Sequence, residues 1–338
     1  MYVLGIETSC DETAAAVVKN GREISSNVVS SSINFHKQYG GIVPEIAFRK
    51  QLETITEVVE CALKRAKTPL KKIGLISVTS GPGLLGSLLV GVSFAKSLSL
   101  SSCVPFIGIN HIYSHIYSSF LVSREIPEFP CVALVVSGGH TSLYYMRDFD
   151  KIKLIGSTLD DACGEAFDKV AKILGLGYPG GPPIEKAAQN GDPNSIRFSC
   201  SNTKNPFDFS FSGIKTAVLY CVRKNQACIS GSKLPRSKIA DICAGFQEAA
   251  LNCLVEKSVS ACMKKKTNTL LIGGGVTANN RLREKFLNAA GKHGLNVRFP
   301  LKTFCTDNAA MVAGLGYRLF KKGYVSDLNL SANPNEGG

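Results

Sequence analysis

YVLGIETSCDETAAAVVKNG, residues 2–21, sets out a plan that CVALVVSGGHTSLYYMRDFD, residues 131–150, repeats. In the first stretch Tyr2 to Ile6 reads as a strand, a turn carries Thr8, Ser9 and Asp11, and Ala14 to Val18 reads as a second strand. Lys19-Asn20-Gly21 then turns the chain into a third, because Asn-Gly between two strand-like runs accepts the left-handed backbone of a tight hairpin. In the second stretch Val132 to Val136 is a continuous apolar strand, Ser137-Gly138-Gly139-His140 is a turn, and Thr141 to Met146 starts another strand before residues 147–150 turn the chain again. Two similar halves are implied.

Working outward, Leu52, Ile55, Val59, Ala62, Leu63 and Ala66 follow helical spacing and stop before Pro69. A strand over Ile73 to Val78 runs into Ser80-Gly81-Pro82-Gly83 and a buried helix from Leu84; Thr269 to Ile272 meets Gly273-Gly274-Gly275 before a helix starting near Asn279. Alternating strands and helices with glycine at the strand ends predict an α/β architecture that binds its ligands at the carboxyl ends of the strands. Residues 191–208 and 225–237 lack periodicity and read as loops.

The 338 residues suffice for two domains, and 44% hydrophobic content fills their cores. The 39 Lys and Arg against 26 Asp and Glu leave a net charge of +13, a field that attracts polyanions such as RNA, DNA or anionic membranes. Twelve cysteines include no pair at CxxC spacing, which argues against a zinc ribbon and for reduced thiols in a cytosol. No export or organelle signal is visible, and the weakly charged stretch Leu84 to Ala95 is too short to span a bilayer, so the expected compartment is the cytoplasm.

Three groups of residues carry chemistry. His111-Ile112-Tyr113-Ser114-His115 places two imidazoles four residues apart on one helix face, where they serve as paired metal ligands or as half-exposed surface histidines. A zinc-protease motif would need glutamate where Ile112 stands. The turns at Ser80 to Gly83, Ser137 to Gly139 and Gly273 to Gly275 let a backbone approach a phosphate, and none matches a P-loop. Among the carboxylates, Asp11 and Glu12 lie on the first turn and Asp161, Glu165 and Asp168 fall at helical spacing, as an acidic helix face also would. Asp307 stands at an expected helix N-terminus, where an N-cap is the default role.

Together these segments resemble the universal threonylcarbamoyl-adenosine tRNA-modification family, formerly described as O-sialoglycoprotein endopeptidases, of the actin-like, sugar-kinase and heat-shock ATPase superfamily. The resemblance runs through Gly5 to Thr13, Gly40 to Glu45, Asn110 to His115, Val136 to His140, Asp161 to Lys169, Phe209 to Ala217, Gly273 to Asn279 and Thr306-Asp307-Asn308. Gly40-Gly41-Ile42-Val43-Pro44-Glu45 is similar to the bacterial and organellar branch, whereas Gln51 stands where the family usually has a histidine. The resemblance implies a two-lobed α/β fold with a duplicated βββαβα core. Residues 1–125 would form the N-terminal lobe, carrying the first glycine turn and the HxxxH helix; residues 126–338 would form the C-terminal lobe, with the nucleotide-binding turns and a last helix packing back.

It further implies a divalent metal, iron(II) or zinc, on His111, His115 and Asp307, the last reaching in from the opposite lobe. Nucleotide or adenylate contacts are implied at Val136, Ser137, Gly138, Gly139, His140, Thr141, Asp168, Gly181, Glu185 and Asn279, with Asp168 accepting from a ribose hydroxyl. The implied activity is acyl transfer: the lobes close on L-threonylcarbamoyl-adenylate, the exocyclic amine of an adenosine beside a tRNA anticodon attacks the carbamoyl carbon, and AMP leaves. Asp11, Glu12 and His140 are the candidate proton handlers. The implied partners are tRNA, a smaller paralogue of the same fold and a P-loop ATPase. A metalloprotease, a small-molecule kinase of the same superfamily and a non-catalytic scaffold are the competing readings.

Overall fold

The computed structural model describes residues 1–121, 128–227 and 234–335, without the side chains of 226 and 227. Residues 1–126 with 300–338 form one compact unit, and residues 127–299 form another.

The first unit opens with β1 (Tyr2–Glu7), β2 (Glu12–Lys19) and β3 (Glu23–Ser31), an antiparallel meander. The β2–β3 turn has Asn20 at φ 52° and Gly21 at φ 75°, the left-handed pair expected of Asn-Gly. After α1 (Ile33–His36) and α2 (Pro44–Arg65), β4 (Ile73–Gly81) joins β1 in parallel; α3 (Leu85–Ser102), β5 (Phe106–Asn110) and α4 (His111–Tyr117) follow. The sheet order is β3-β2-β1-β4-β5.

The second unit repeats the scheme with β6 (Cys131–Val136), β7 (Thr141–Asp148) and β8 (Lys151–Ser157), then α5 (Cys163–Leu174), α6 (Gly181–Ala188), α7 (Ser212–Ala227) and α8 (Arg236–Lys265). β9 (Thr269–Gly273), α9 (Asn280–His293) and β10 (Asn296–Arg298) close it, in the order β10-β9-β6-β7-β8. In both sheets a three-stranded meander is extended by two parallel strands. This is the duplicated βββαβα core that the family resemblance implies, and its two halves match the repeated sequence plan.

The chain then returns to the first unit, where α10 (Ala309–Phe320) packs on β1, β2 and β4. Strand alternation gives β1 two buried faces. Leu4 and Ile6 join Ile55, Val58, Val59 and Val92 in the core against α2 and α3. Gly5 points the other way, and a Cβ there would overlap the Ala309 carbonyl and lie 2.9 Å from Ala313 Cβ, so α10 sits against bare backbone.

Two local readings differ from the structure. The helix expected to be buried from Leu84 continues past Lys96 to Ser102 and is buried on one face only, with Leu85, Leu89 and Leu100 exposed. At 18 residues it is long and apolar enough by composition to cross a membrane, but here it packs on β4 and α2. The loop expected over 225–237 is shortened from both ends by α7 and α8, and residues 228–233 lie outside the described residues. The described cysteines are free thiols.

Candidate functional site

β5 delivers the chain into α4, whose N-cap Asn110 accepts from the Tyr113 amide at 3.0 Å. Spacing of four then sets the two imidazoles side by side, with ring centroids 4.6 Å apart. Both are buried, His111 at 6% and His115 at 1% exposure, which removes the surface-histidine alternative.

Asp307 precedes α10, but the N-cap is its neighbour: Asn308 Oδ1 accepts from the Met311 amide at 3.1 Å. The carboxylate of Asp307 turns to the histidines, with Oδ1 3.0 Å from His115 Nε2 and 3.7 Å from His111 Nε2. It belongs to the same unit as they do, not to an opposite lobe. One ligand atom from each of the three lies within 4.8 Å of the others. Two buried imidazole nitrogens and an oxygen of the half-buried Asp307 carboxylate form a three-point donor set for one metal ion, a set that iron(II) and zinc share.

Behind His111 stands Glu7, the last residue of β1, with no exposed surface. Its Oε1 accepts from the Ser9 amide at 2.6 Å, and its Oε2 accepts from the Thr79 hydroxyl at 2.5 Å and faces His111 Nδ1 at 3.2 Å. Burial opposes ionisation of Glu7, but the charge and hydrogen bond of His111 outweigh it and hold the carboxyl below its ordinary value. Burial likewise disfavours the His111 cation, yet Glu7 and Asp307 prevail and raise it to about 9 in the metal-free chain.

The β1–β2 turn adds a second acidic group. Burial, then the charge of Asp307, raise Asp11; burial, then Asp11 and Asp307, push Glu12 up to about 8. Asp11 Oδ2 and Glu12 Oε2 are buried without hydrogen-bond partners. Gln51, buried on α2, holds this turn, its Nε2 donating to the carbonyls of Cys10 (3.0 Å) and Glu12 (2.9 Å). His36, also buried, accepts from the Val43 amide at Nδ1, so Nε2 donates to Ser32 Oγ, which donates to the Asp11 carbonyl. The sequence reading missed Glu7, Gln51 as a clamp and His36; the isolated polar residue within apolar β1 was the one local signal for Glu7.

The three glycine turns differ. At Ser80 to Gly83 protein backbone occupies the turn: Gly83 donates to the Pro334 carbonyl, Leu84 to that of Ser9, and a Cβ at Gly81 would overlap the Asn333 carbonyl. Its glycines make room for the C-terminal segment, not for a phosphate. In the second unit the other two turns lie side by side because β6 and β9 are parallel neighbours. Gly274, at φ 93°, must be glycine, since a Cβ would overlap the Val136 carbonyl. Beside Gly138 and Gly139 a Cβ would meet nothing within 4 Å, so their backbone faces open space. The His140 amide donates to Ser137 Oγ, and Thr141 Oγ1 accepts from the amide of Cys163, the first residue of α5.

Asp168, on α5, accepts from the Gly180 amide at 2.6 Å beside Gly181, while burial raises the pKa of its carboxyl above the ordinary value. Glu185 accepts from the amide and side chain of Asn280, and Asn279 caps α9 while donating to Gln247. Asp161 and Glu165 both pair with Lys169. A cavity of about 320 Å³ is lined by Glu185, Gln247, Asn280 and Arg281. A larger one of about 1170 Å³, against Leu174, Leu176 and Ile239, touches none of the residues singled out from the sequence.

A family described as tRNA N6-adenosine threonylcarbamoyltransferase (TsaD) matches residues 23–314. A protein of that name from Thermosipho melanesiensis is 51% identical over 337 residues, 99% of each chain. Another from Symbiobacterium thermophilum is 49% identical over 335 residues, covering 99% of this chain and 96% of its own. Among solved structures, full-length HypF in its phosphate- and nucleotide-bound form has a TM-score of 0.63 at 13% identity, over 95% of this chain and 46% of that one. The 2-hydroxyisocaproyl-CoA dehydratase activator from Clostridium difficile with bound ADPNP gives 0.53 at 15% identity, over 96% and 97%. These two are likenesses of fold, that of the actin-like ATPase superfamily. With a family match over residues 23–314 and relatives near half identity along the full length, the chain belongs to the tRNA N6-adenosine threonylcarbamoyltransferase family.

Proposed function

We propose that this chain transfers the threonylcarbamoyl group of L-threonylcarbamoyl-adenylate to the exocyclic N6 amine of the adenosine 3′ to the anticodon, in tRNAs that read codons starting with A, releasing AMP. The observation that carries this reading is the buried cluster of His111, His115 and Asp307 beside the partnerless carboxylate oxygens of Asp11 and Glu12. A metal on the three ligands would supply Lewis acidity and a template for the carbamoyl oxygens.

An amine conjugated to a purine is a weak nucleophile, so positioning and proton removal set the rate. As the new C–N bond forms the amine sheds a proton, and Asp11 or Glu12, once ionised, would receive it. His140, on the turn of the second unit, is the remaining candidate. The same unit would hold the nucleotide: the open backbone of Gly138 and Gly139 suits a phosphate, and Asp168 a ribose hydroxyl, with Val136, Ser137, Thr141, Gly181, Glu185 and Asn279 around them. The metal would be iron(II) or zinc. The net charge of +13 favours a tRNA partner, and a smaller paralogue and a P-loop ATPase are the proposed accessory subunits, all in the cytoplasm.

The protease reading loses support because the position that carries glutamate in a zinc-protease motif is the buried Ile112. The test is to incubate the chain with tRNA, ATP, threonine, bicarbonate and an adenylate-forming enzyme, with and without the accessory subunits, and to look for the modified nucleoside. Product above a His111→Ala control is expected; its absence in every preparation refutes the reading.

A further inference from the structure

We propose that Glu7 is a positioning residue for the metal ligand His111: its carboxylate fixes the imidazole as the Nδ1–H tautomer and aims Nε2 at the metal position. This rests on the reading that His111, His115 and Asp307 hold a metal.

A fully buried carboxylate at the end of an apolar strand is costly unless its oxygens are saturated. Here Oε1 takes the Ser9 amide, and Oε2 takes the Thr79 hydroxyl and the His111 ring. Among the described residues its ion-pair partner is His111. A carboxylate that already accepts from the Ser9 amide and the Thr79 hydroxyl is an acceptor toward the ring as well, which assigns the shared hydrogen to His111 Nδ1. Ser9 Oγ, at 3.0 Å from the same nitrogen, flanks this bond. Nε2 is left on the side of Asp307, 3.7 Å from its Oδ1, as the nitrogen that would ligate a metal. The two ligands differ in this respect, because His115 Nδ1 is buried with no hydrogen-bond partner among the described residues. His111 is thus the anchored ligand, and an imidazole that donates to a carboxylate is the more basic donor to a metal.

Chelator competition with Zn²⁺ and visible absorption of the Co²⁺-loaded chain provide the test, on the wild type and on Glu7→Gln, Ser9→Ala and His111→Ala. One equivalent should bind to the wild type and none to His111→Ala. Glu7→Gln, folded by circular dichroism, should bind about 10- to 100-fold more weakly and shift the Co²⁺ bands, while Ser9→Ala stays close to wild type. Wild-type affinity and an unchanged spectrum in Glu7→Gln would overturn the proposal. Should that variant fail to fold, ¹⁵N-histidine spectra of the zinc-loaded wild type decide: ligation through Nε2 with a protonated Nδ1 supports it, and ligation through Nδ1 overturns it. A wild type that binds no metal refutes the metal reading itself, and the role of Glu7 with it.

Discussion

Glu12 should make the first unit less stable as pH rises through neutrality. Burial and the charges of Asp11 and Asp307 push its carboxyl up to about 8, whereas in the unfolded chain it titrates near the ordinary 4.5. Between these values the unfolded chain binds fewer protons than the folded one, so stability falls with rising pH across that window and is fully present only below it. At about 1.4 kcal/mol per tenfold change in proton affinity, the interval corresponds to at most about 5 kcal/mol. Partial solvent access at Glu12 reduces this to about 2–4 kcal/mol, or roughly 5–15 °C in melting temperature for a unit of this size. The perturbation is Glu12→Gln, which removes the titration at nearly constant shape. Melting curves of chelator-treated wild type and variant from pH 5 to pH 9 are the assay, since a bound cation would favour the ionised carboxylate. The variant should match the wild type at pH 5 and gain on it steadily toward pH 9. A difference that stays constant across the range would refute the electrostatic reasoning.

Asn308→Ala should cost about 1 kcal/mol by removing the α10 cap and should weaken metal binding by loosening the segment that carries Asp307, with Asn308→Ser restoring both; thermal melts and chelator titrations check it. Removing the metal should lower the stability of the wild type by about 2.7 kcal/mol relative to metal at a hundredfold excess over its Kd, and Asp307→Asn should abolish that difference in the same melts. Gln51→Ala leaves the Cys10 and Glu12 carbonyls without their clamp, so a loss of about 1–3 kcal/mol is expected by urea denaturation, together with slower transfer. In Gly5→Ala the new methyl meets the Ala309 backbone, and a loss of about 3 kcal/mol without change in the site's ligands is expected, read by melting and metal stoichiometry.

Much of this protein is legible in its sequence because the signals are local. Hairpin chemistry at Asn20-Gly21, apolar runs at 2–6 and 132–136 and glycines after strands act within a few residues, and they were enough to expect an α/β chain of two similar halves. The His111–His115 pair is likewise a property of one helical turn. Those same rules missed by a single residue at α10: Asp307 and Asn308 are both good N-caps, and only the backbone path decided that Asn308 caps while Asp307 faces the histidines. They also assigned Ser80 to Gly83 to a phosphate, whereas the close neighbours are Pro334 and Asn333.

The sequence by itself determined the strand and helix plan, the two-halved architecture and the identity of the paired imidazoles. Tertiary structure alone decided the rest: that residues 300–338 return to the first unit, that Asp307 meets His115 across 192 positions, and that Glu7, Gln51 and His36 stand behind the acidic turn and the ligand helix. The reason is physical. Periodicity and turn preference follow from a residue's own backbone and its near neighbours, while buried hydrogen bonds and charge pairs depend on which distant segments a shared core brings within about 3 Å of one another.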